Sequence, residues 1–156
     1  MKVLVVVVGK ARGPVADAVA EYERRAARYW RLEIAEVGAG GPGAGASPAA
    51  VRAAEAERLL ARVPGDLEVV PLTRAGKGMS SRALARYLEG LAIRSSPGVA
   101  FLIGGAHGLD PSVLERARRE LSLSTLTLPH EMARLFLVEQ LYRAGTIIRG
   151  EPYHKG

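Results

Sequence analysis

Three segments of this 156-residue chain carry residue types suited to chemistry at the end of a β-strand. Gly104-Gly105-Ala106-His107-Gly108 follows directly on an apolar run, residues 99–103. Leu72 ends a second apolar run and leads into residues 73–79, a stretch with two glycines and two cations, Arg74 and Lys77. Leu123-Ser124-Thr125-Leu126-Thr127-Leu128-Pro129 is the third. In open parallel sheets, ligands bind in the crevice beyond the carboxyl ends of the strands. All three segments sit where such a crevice would open.

Several chemistries lack their signatures. A Rossmann dinucleotide site needs G-x-G-x-x-G after the first strand. Here that strand ends in Gly9-Lys10-Ala11-Arg12-Gly13, and the cluster at 104–108 has the wrong spacing. No P-loop and no G-x-S-x-G elbow occurs. Cysteine is absent, which removes disulfides, thiolate nucleophiles and Cys-type zinc sites. His107, His130 and His154 are too far apart for a metal-ligand spacing, so no metal is expected. The acidic residues sit mostly at helix positions that read as solvated.

Net charge is +6 and the pI is about 10.1, which points to a polyanionic partner. Hydrophobic residues make up 48%, enough for a real core. No run reaches the ~18 apolar residues of a membrane span. The apolar start, residues 3–8, has one Lys before it and no small-residue cleavage site after it. It reads as a buried strand, and a cytoplasmic protein with no membrane partner is expected. Arg supplies all the basic residues except Lys2, Lys10, Lys77 and Lys155; Asn is absent and Gln140 is the only Gln. Both a thermophilic origin and a GC-rich genome would give this bias.

The elements that must position the three segments alternate in type. The β-branched run 3–8 suits a parallel strand covered on both faces. Pro14 opens a helix whose apolar positions continue to Tyr29. Residues 32–37 alternate as a second strand. Residues 38–47 are rich in Gly and Ala and read as a flexible surface loop, either a plain linker or an RNA-contacting gate. Ser47-Pro48 caps a helix to about Arg62. Residues 67–72 form a third strand, and Ser80 or Ser81 caps a helix to about Arg94. Between Thr73 and Arg94 stand five basic residues and one acidic. Residues 99–103 are the fourth strand. Asp110-Pro111 opens a helix to about Glu120. Residues 121–128 hold the last strand, which Pro129 stops. A helix from His130 to about Ile147 follows, then a polar tail without pattern. This order implies one α/β domain, 1–156, with a parallel sheet and helices on both faces.

Phe101-Leu102-Ile103-Gly104-Gly105-Ala106-His107-Gly108-Leu109 resembles the glycine motif of the RlmH family. Leu121-Ser122-Leu123-Ser124-Thr125-Leu126-Thr127-Leu128-Pro129-His130 is similar to a second motif. The closing stretch matches a third, from Glu139-Gln140-Leu141-Tyr142-Arg143-Ala144 through Gly150-Glu151-Pro152-Tyr153-His154-Lys155. The resemblance covers the whole chain. That family comprises bacterial 23S rRNA (pseudouridine-N3)-methyltransferases of the SPOUT superfamily. The resemblance implies a parallel-sheet SPOUT fold with a C-terminal deep trefoil knot, although knots are rare. It also implies a homodimer, S-adenosylmethionine as methyl donor, and a pseudouridine in a 23S rRNA stem-loop, in assembled ribosomes, as target.

By resemblance, the donor pocket falls on Leu72, Gly104, Gly105 and the run Leu123, Ser124, Thr125, Leu126, Thr127 and Leu128. Glycines would let the backbone approach the ligand without a Cβ in the way. Taken alone, Gly104-Gly105 would read as an ordinary strand-to-helix turn. The implied catalytic residues are Tyr153, His154 and Arg143, with the tail reaching the partner subunit's pocket. Tyr153 could stack on the base, and His154 could orient it or take its N3 proton. Arg143 or Arg149 could stabilise developing charge. Alone, Tyr153-His154 would be a frayed terminus, and Arg143 a surface cation. His130 is either a cap or a substrate contact, and His107 is assigned no role.

Three rival readings differ in what they leave unexplained. A non-catalytic RNA-binding module accounts for the charge but not for the strand-end glycines. A knotted methyltransferase acting on tRNA or a ribose 2′-OH fits less well with the Pro-Tyr-His-Lys tail. A nucleotide-binding oxidoreductase lacks its fingerprint.

Overall fold

The structure, a computed structural model, describes residues 1–155. Five parallel strands form one sheet in the order β2-β1-β4-β3-β5. They are β1 (Lys2–Val8), β2 (Arg31–Val37), β3 (Glu68–Gly78), β4 (Gly98–Ile103) and β5 (Leu121–Ser122). The helices are α1 (Pro14–Ala26), α2 (Pro48–Ala61), α3 (Ser81–Ile93), α4 (Pro111–Arg116) and α5 (His130–Arg149), followed by a 3-10 turn over Pro152–His154.

β1 explains the two-faced packing. It lies between β2 and β4, and its side chains alternate between faces. Val3, Val5 and Val7 enter a core with Leu88, Phe101, Leu137 and Leu141 from α3, β4 and α5. Leu4, Val6 and Val8 enter a second core with Leu59, Leu102 and Val113 from α2, β4 and α4. Both sets are fully buried, which is why the run is apolar throughout rather than alternating. Each such side chain contributes roughly 1.5–3 kcal/mol.

Residue 145 on α5 is Gly, and a Cβ there would fall 2.3 Å from Tyr29 Cγ, in the turns that close α1. The Trp30 indole N–H donates to the Leu141 carbonyl at 2.7 Å. The buried Arg134 guanidinium donates to Glu23 on α1 at 2.9 Å and to Glu36 on β2 at 2.6 Å.

Caps follow the sequence. Ser47 and Ser80 accept from Ala50 and Ala83 at the starts of α2 and α3, and Asp110 accepts from Ser112 at α4. Five expectations need correction. α1 stops at Ala26, and residues 27–30 close it with tight backbone turns. β3 does not end at Leu72; it runs to Gly78, and its pairing with β5 shifts register between Leu72 and Lys77. α4 ends at Arg116 rather than near Glu120, because Ala117 is extended and the Arg118 N–H donates to the Val69 carbonyl at 2.8 Å. β5 is two residues long, not eight. Beyond it, the Ser122 hydroxyl donates to the Ser124 carbonyl and Ser124 Oγ accepts the Leu126 N–H, which turns the chain instead of extending it.

The tail is the fifth. Gly150 adopts φ +68°, the left-handed conformation that favours glycine, and ends α5. The Gly150 and Glu151 N–H groups donate to the carbonyls of Ile147 and Thr146, and the chain turns back onto α5. Loop 38–47 is tethered as well: Arg58 donates to the carbonyls of Gly38 and Gly40, and Glu55 accepts the Gly40 N–H.

Candidate active site

A cavity of about 700 Å³ opens beyond the carboxyl ends of β4 and the first part of β3. That size is typical of small-molecule sites. Leu72, Ile103 and Leu128 supply apolar wall, and the 104–109 turn supplies backbone. The turn folds on itself: the Gly108 N–H donates to the Gly105 carbonyl at 3.1 Å, and the two residues bridge antiparallel. Arg74 from β3 donates to Thr127 Oγ1 at 2.9 Å and ties the two lips of the opening together.

Of the residues expected to hold a donor, Leu72, Gly104, Gly105, Thr127 and Leu128 share this cavity. Leu123 instead lines a neighbouring cavity of about 550 Å³ with Tyr22, Met79, Leu135 and Phe136. Ser124, Thr125 and Leu126 form the turn between the two, and Leu126 is 72% exposed. The two glycines are also hemmed in by the protein itself. A Cβ at Gly104 would lie 3.0 Å from the Gly108 backbone, and one at Gly105 would meet Glu55 and Val8. At both positions a larger side chain would press on the protein's own atoms.

His130 lines the same cavity. No side-chain cap bond forms at the start of α5, so it is not a cap. Its ring lies against Gly9, whose added Cβ would fall 2.8 Å from Nε2, and that nitrogen is buried without a protein partner. His107, assigned no role from sequence, is also in the lining.

The tail residues assemble on the last turns of α5. Glu139 Oε1 accepts from Arg143 Nε at 3.0 Å and Nη2 at 2.6 Å, and from the Tyr153 hydroxyl at 3.0 Å. The Arg143 guanidinium stands 4.9 Å from the Tyr153 ring, which packs on Tyr142 at 4.5 Å. Tyr29 bonds Glu151. Burial, then hydrogen bonds with Tyr22 and Glu139, push the Tyr153 phenol above its ordinary range, so it remains a donor. The bond to Glu139 likewise raises Arg143. His154 borders a cavity of about 370 Å³ with Ser80, Ser81, Arg143 and Ile147, and its Nδ1 is buried without a protein partner. Sequence reasoning missed Glu139 as the acceptor common to Arg143 and Tyr153. Its i, i+4 spacing from Arg143 was the available signal.

The two clusters have no lining residue in common, so within one chain the strand-end cavity and the tail are separate. Among the described residues, no group of three His, Cys, Asp or Glu could hold a metal ion, and no helix is long and apolar enough to cross a membrane.

A family model described as "Predicted SPOUT methyltransferase" matches residues 1–154. The chain is 54% identical over 156 residues to a protein of Gemmatimonas aurantiaca named "Ribosomal RNA large subunit methyltransferase H", covering 99% of this chain and all of that one. Proteins of the same name from Rubrobacter xylanophilus and Listeria welshimeri are 47% and 42% identical. These matches cover 96% of both chains in the first case, and 99% of this chain and all of the other in the second.

Proposed function

The chain belongs to the RlmH family of SPOUT methyltransferases, and from that premise we propose that it methylates N3 of a pseudouridine in a 23S rRNA stem-loop of the assembled ribosome, in the cytoplasm, with S-adenosylmethionine as donor. The observation that carries this reading is the cavity beyond the carboxyl end of β4 and the first part of β3, in a chain whose full-length relatives are named as large-subunit rRNA methyltransferases.

The residues present fit such a donor. Leu72, Ile103 and Leu128 offer faces for an adenine, and backbone groups of the glycine turn offer donors and acceptors for its edge. The orphaned His130 Nε2 at the cavity is a polar atom awaiting a partner. When bound, S-adenosylmethionine supplies an electrophilic methyl group and leaves as the neutral thioether. The chain must then remove the proton that N3 carries at neutral pH. His154 takes it, and Arg143 and Arg149 favour the anion in the transition state. Tyr153, held as a phenol, stacks on the base or donates to it. In-line placement of N3 contributes several kcal/mol more.

One 1–156 domain with a C-terminal deep trefoil knot completes the reading. So does a homodimer, in which the tail of one subunit reaches the cavity of the other. The separation of the two clusters within one chain supports the dimer, as does the 43% exposed Phe136 beside an apolar cavity.

The test is tritiated methyl transfer to ribosomes lacking the modification, with ribosomes lacking pseudouridine in the target stem-loop as control. Transfer that maps to that base and disappears in the control is expected. Donor binding without transfer to ribosomes would redirect the reading to another RNA. No donor binding would replace it with a non-catalytic RNA-binding module.

A further inference from the structure

A fourth concave surface, of about 480 Å³, lies along α3; it has no lining residue in common with the strand-end cavity and meets the tail's cavity at Ser80. Its rim carries Lys77 from β3, Arg86 and Arg94 from α3, and Arg119 from the segment before β5. All four are exposed. Of the other cations, Lys2, Arg24, Arg25, Arg134 and Arg143 pair with carboxylates, and Arg58 donates to backbone carbonyls. On this rim only Arg94 has a carboxylate partner, Glu68, at 4.0 Å among the described residues. Glu68 is already committed to the Tyr87 hydroxyl at 2.7 Å. The Arg119 guanidinium rests 4.2 Å from the centre of the Tyr87 ring, which aims it without neutralising it.

The floor gives a second, independent observation. Gly90 sits inside α3, where glycine costs about 1 kcal/mol relative to alanine. No packing demands it: a Cβ there would meet only the flexible end of Arg94, at 3.4 Å. Ala83 lies two turns earlier on the same face. A groove that has small residues, Ala83 and Gly90, on the α3 face of its floor and cations on its rim lets a polyanion approach the helix backbone there.

We propose that this groove is an RNA backbone site, in which Lys77, Arg86 and Arg119 bind successive phosphates of the substrate RNA and hold it while the modified base occupies the reaction centre. The proposal rests on the rRNA reading above and adds the surface that would grip the helix. Such contacts position rather than specify.

The experiment is binding of a fluorescein-labelled rRNA stem-loop to the full chain across a salt series, for wild type, Lys77→Gln/Arg86→Gln/Arg119→Gln and Gly90→Ala. Three lost phosphate contacts should weaken binding on the order of a hundredfold at 0.1 M salt and reduce the slope of log K against log salt by about 2–3. Gly90→Ala should raise the melting temperature yet weaken binding several-fold, a combination that damage to the fold would not give. Donor affinity should be unchanged in both variants. Unchanged RNA affinity and salt slope in the triple variant would overturn the proposal, and so would failure of the wild type to bind RNA. Loss of ribosome binding with RNA binding intact would also overturn it, in favour of an acidic ribosomal protein. The rRNA-methylation reading fails separately, if the wild type binds RNA through this groove but transfers no methyl group to ribosomes.

Discussion

A Cβ on Gly105 would lie 3.0 Å from both carboxylate oxygens of Glu55, which is itself buried on α2. Glu55 Oε2 accepts the Gly40 N–H at 3.0 Å, while Oε1 has no protein partner. One carboxylate therefore braces the glycine turn at the candidate donor cavity and the loop between β2 and α2.

Gly105→Ala should therefore destabilise the fold by about 1–3 kcal/mol, as overpacking does. Glu55→Ala removes the obstacle but strands the Gly40 N–H. The double variant should lose less than the two single losses combined, by about 0.5–3 kcal/mol of coupling. Urea melts of the four proteins measure this, and strict additivity would show that the two residues do not press on each other.

Arg134 joins α5 to α1 and β2 through two carboxylates. Arg134→Met leaves Glu23 and Glu36 without their cation, and the cost should be near the lower end of about 3–5 kcal/mol, because Glu36 is one-third exposed. Arg134→Met/Glu23→Gln/Glu36→Gln should recover most of the loss, since no unpaired charge remains. Thermal melts decide this; a triple variant as weak as the single one would mean packing of the arginine stem, not charge, is what is lost.

Burial, followed by the hydrogen bond to Glu68, holds the Tyr87 phenol above its ordinary value. Its contribution is fully present below the unfolded tyrosine pKa near ~10 and is lost as pH rises through the folded value. Above about pH 10 the group should weaken the protein by up to about 1.4 kcal/mol per pH unit. Tyr153 and Tyr29 shift the same way and steepen the decline. Tyr87→Phe should be less stable at pH 7 but show a shallower alkaline slope. Chemical melts between pH 9 and 11 test it, and parallel slopes would remove Tyr87 from the account.

The sheet and its helices were readable because hydrophobic periodicity and caps are local signals: β1 is apolar from Val3 to Val8, and Ser47, Ser80 and Asp110 cap where expected. What misled was any segment whose conformation depends on distant partners. Residues 121–128 mix Leu with Ser and Thr as a strand would, yet Ser122 and Ser124 turn the chain. The tail looks patternless because its order comes from Glu139 and Tyr29, both outside the tail. The family resemblance pointed to Gly104, Gly105 and Leu72, but the neighbours that explain the glycines, Gly108 and Glu55, are visible only in three dimensions.

The separation of the tail from the strand-end cavity yields the sharpest test of the proposed assembly. If each reaction centre combines the cavity of one subunit with the tail of its partner, Leu128→Arg and His154→Ala homodimers should both be inactive, for different reasons. Leu128→Arg should lose donor binding, because a cation enters the apolar wall. His154→Ala should bind donor normally and lose about 10²–10⁴-fold in single-turnover rate. Mixed at equal amounts and allowed to exchange, the two should form heterodimers in which one centre carries both lesions and the other carries none. About a quarter of wild-type activity should return, since roughly half of the dimers are mixed and each has one intact centre. Centres built within single chains would give no recovery at any mixing ratio, and the tail would then have to reach its own cavity by leaving its contacts with Glu139.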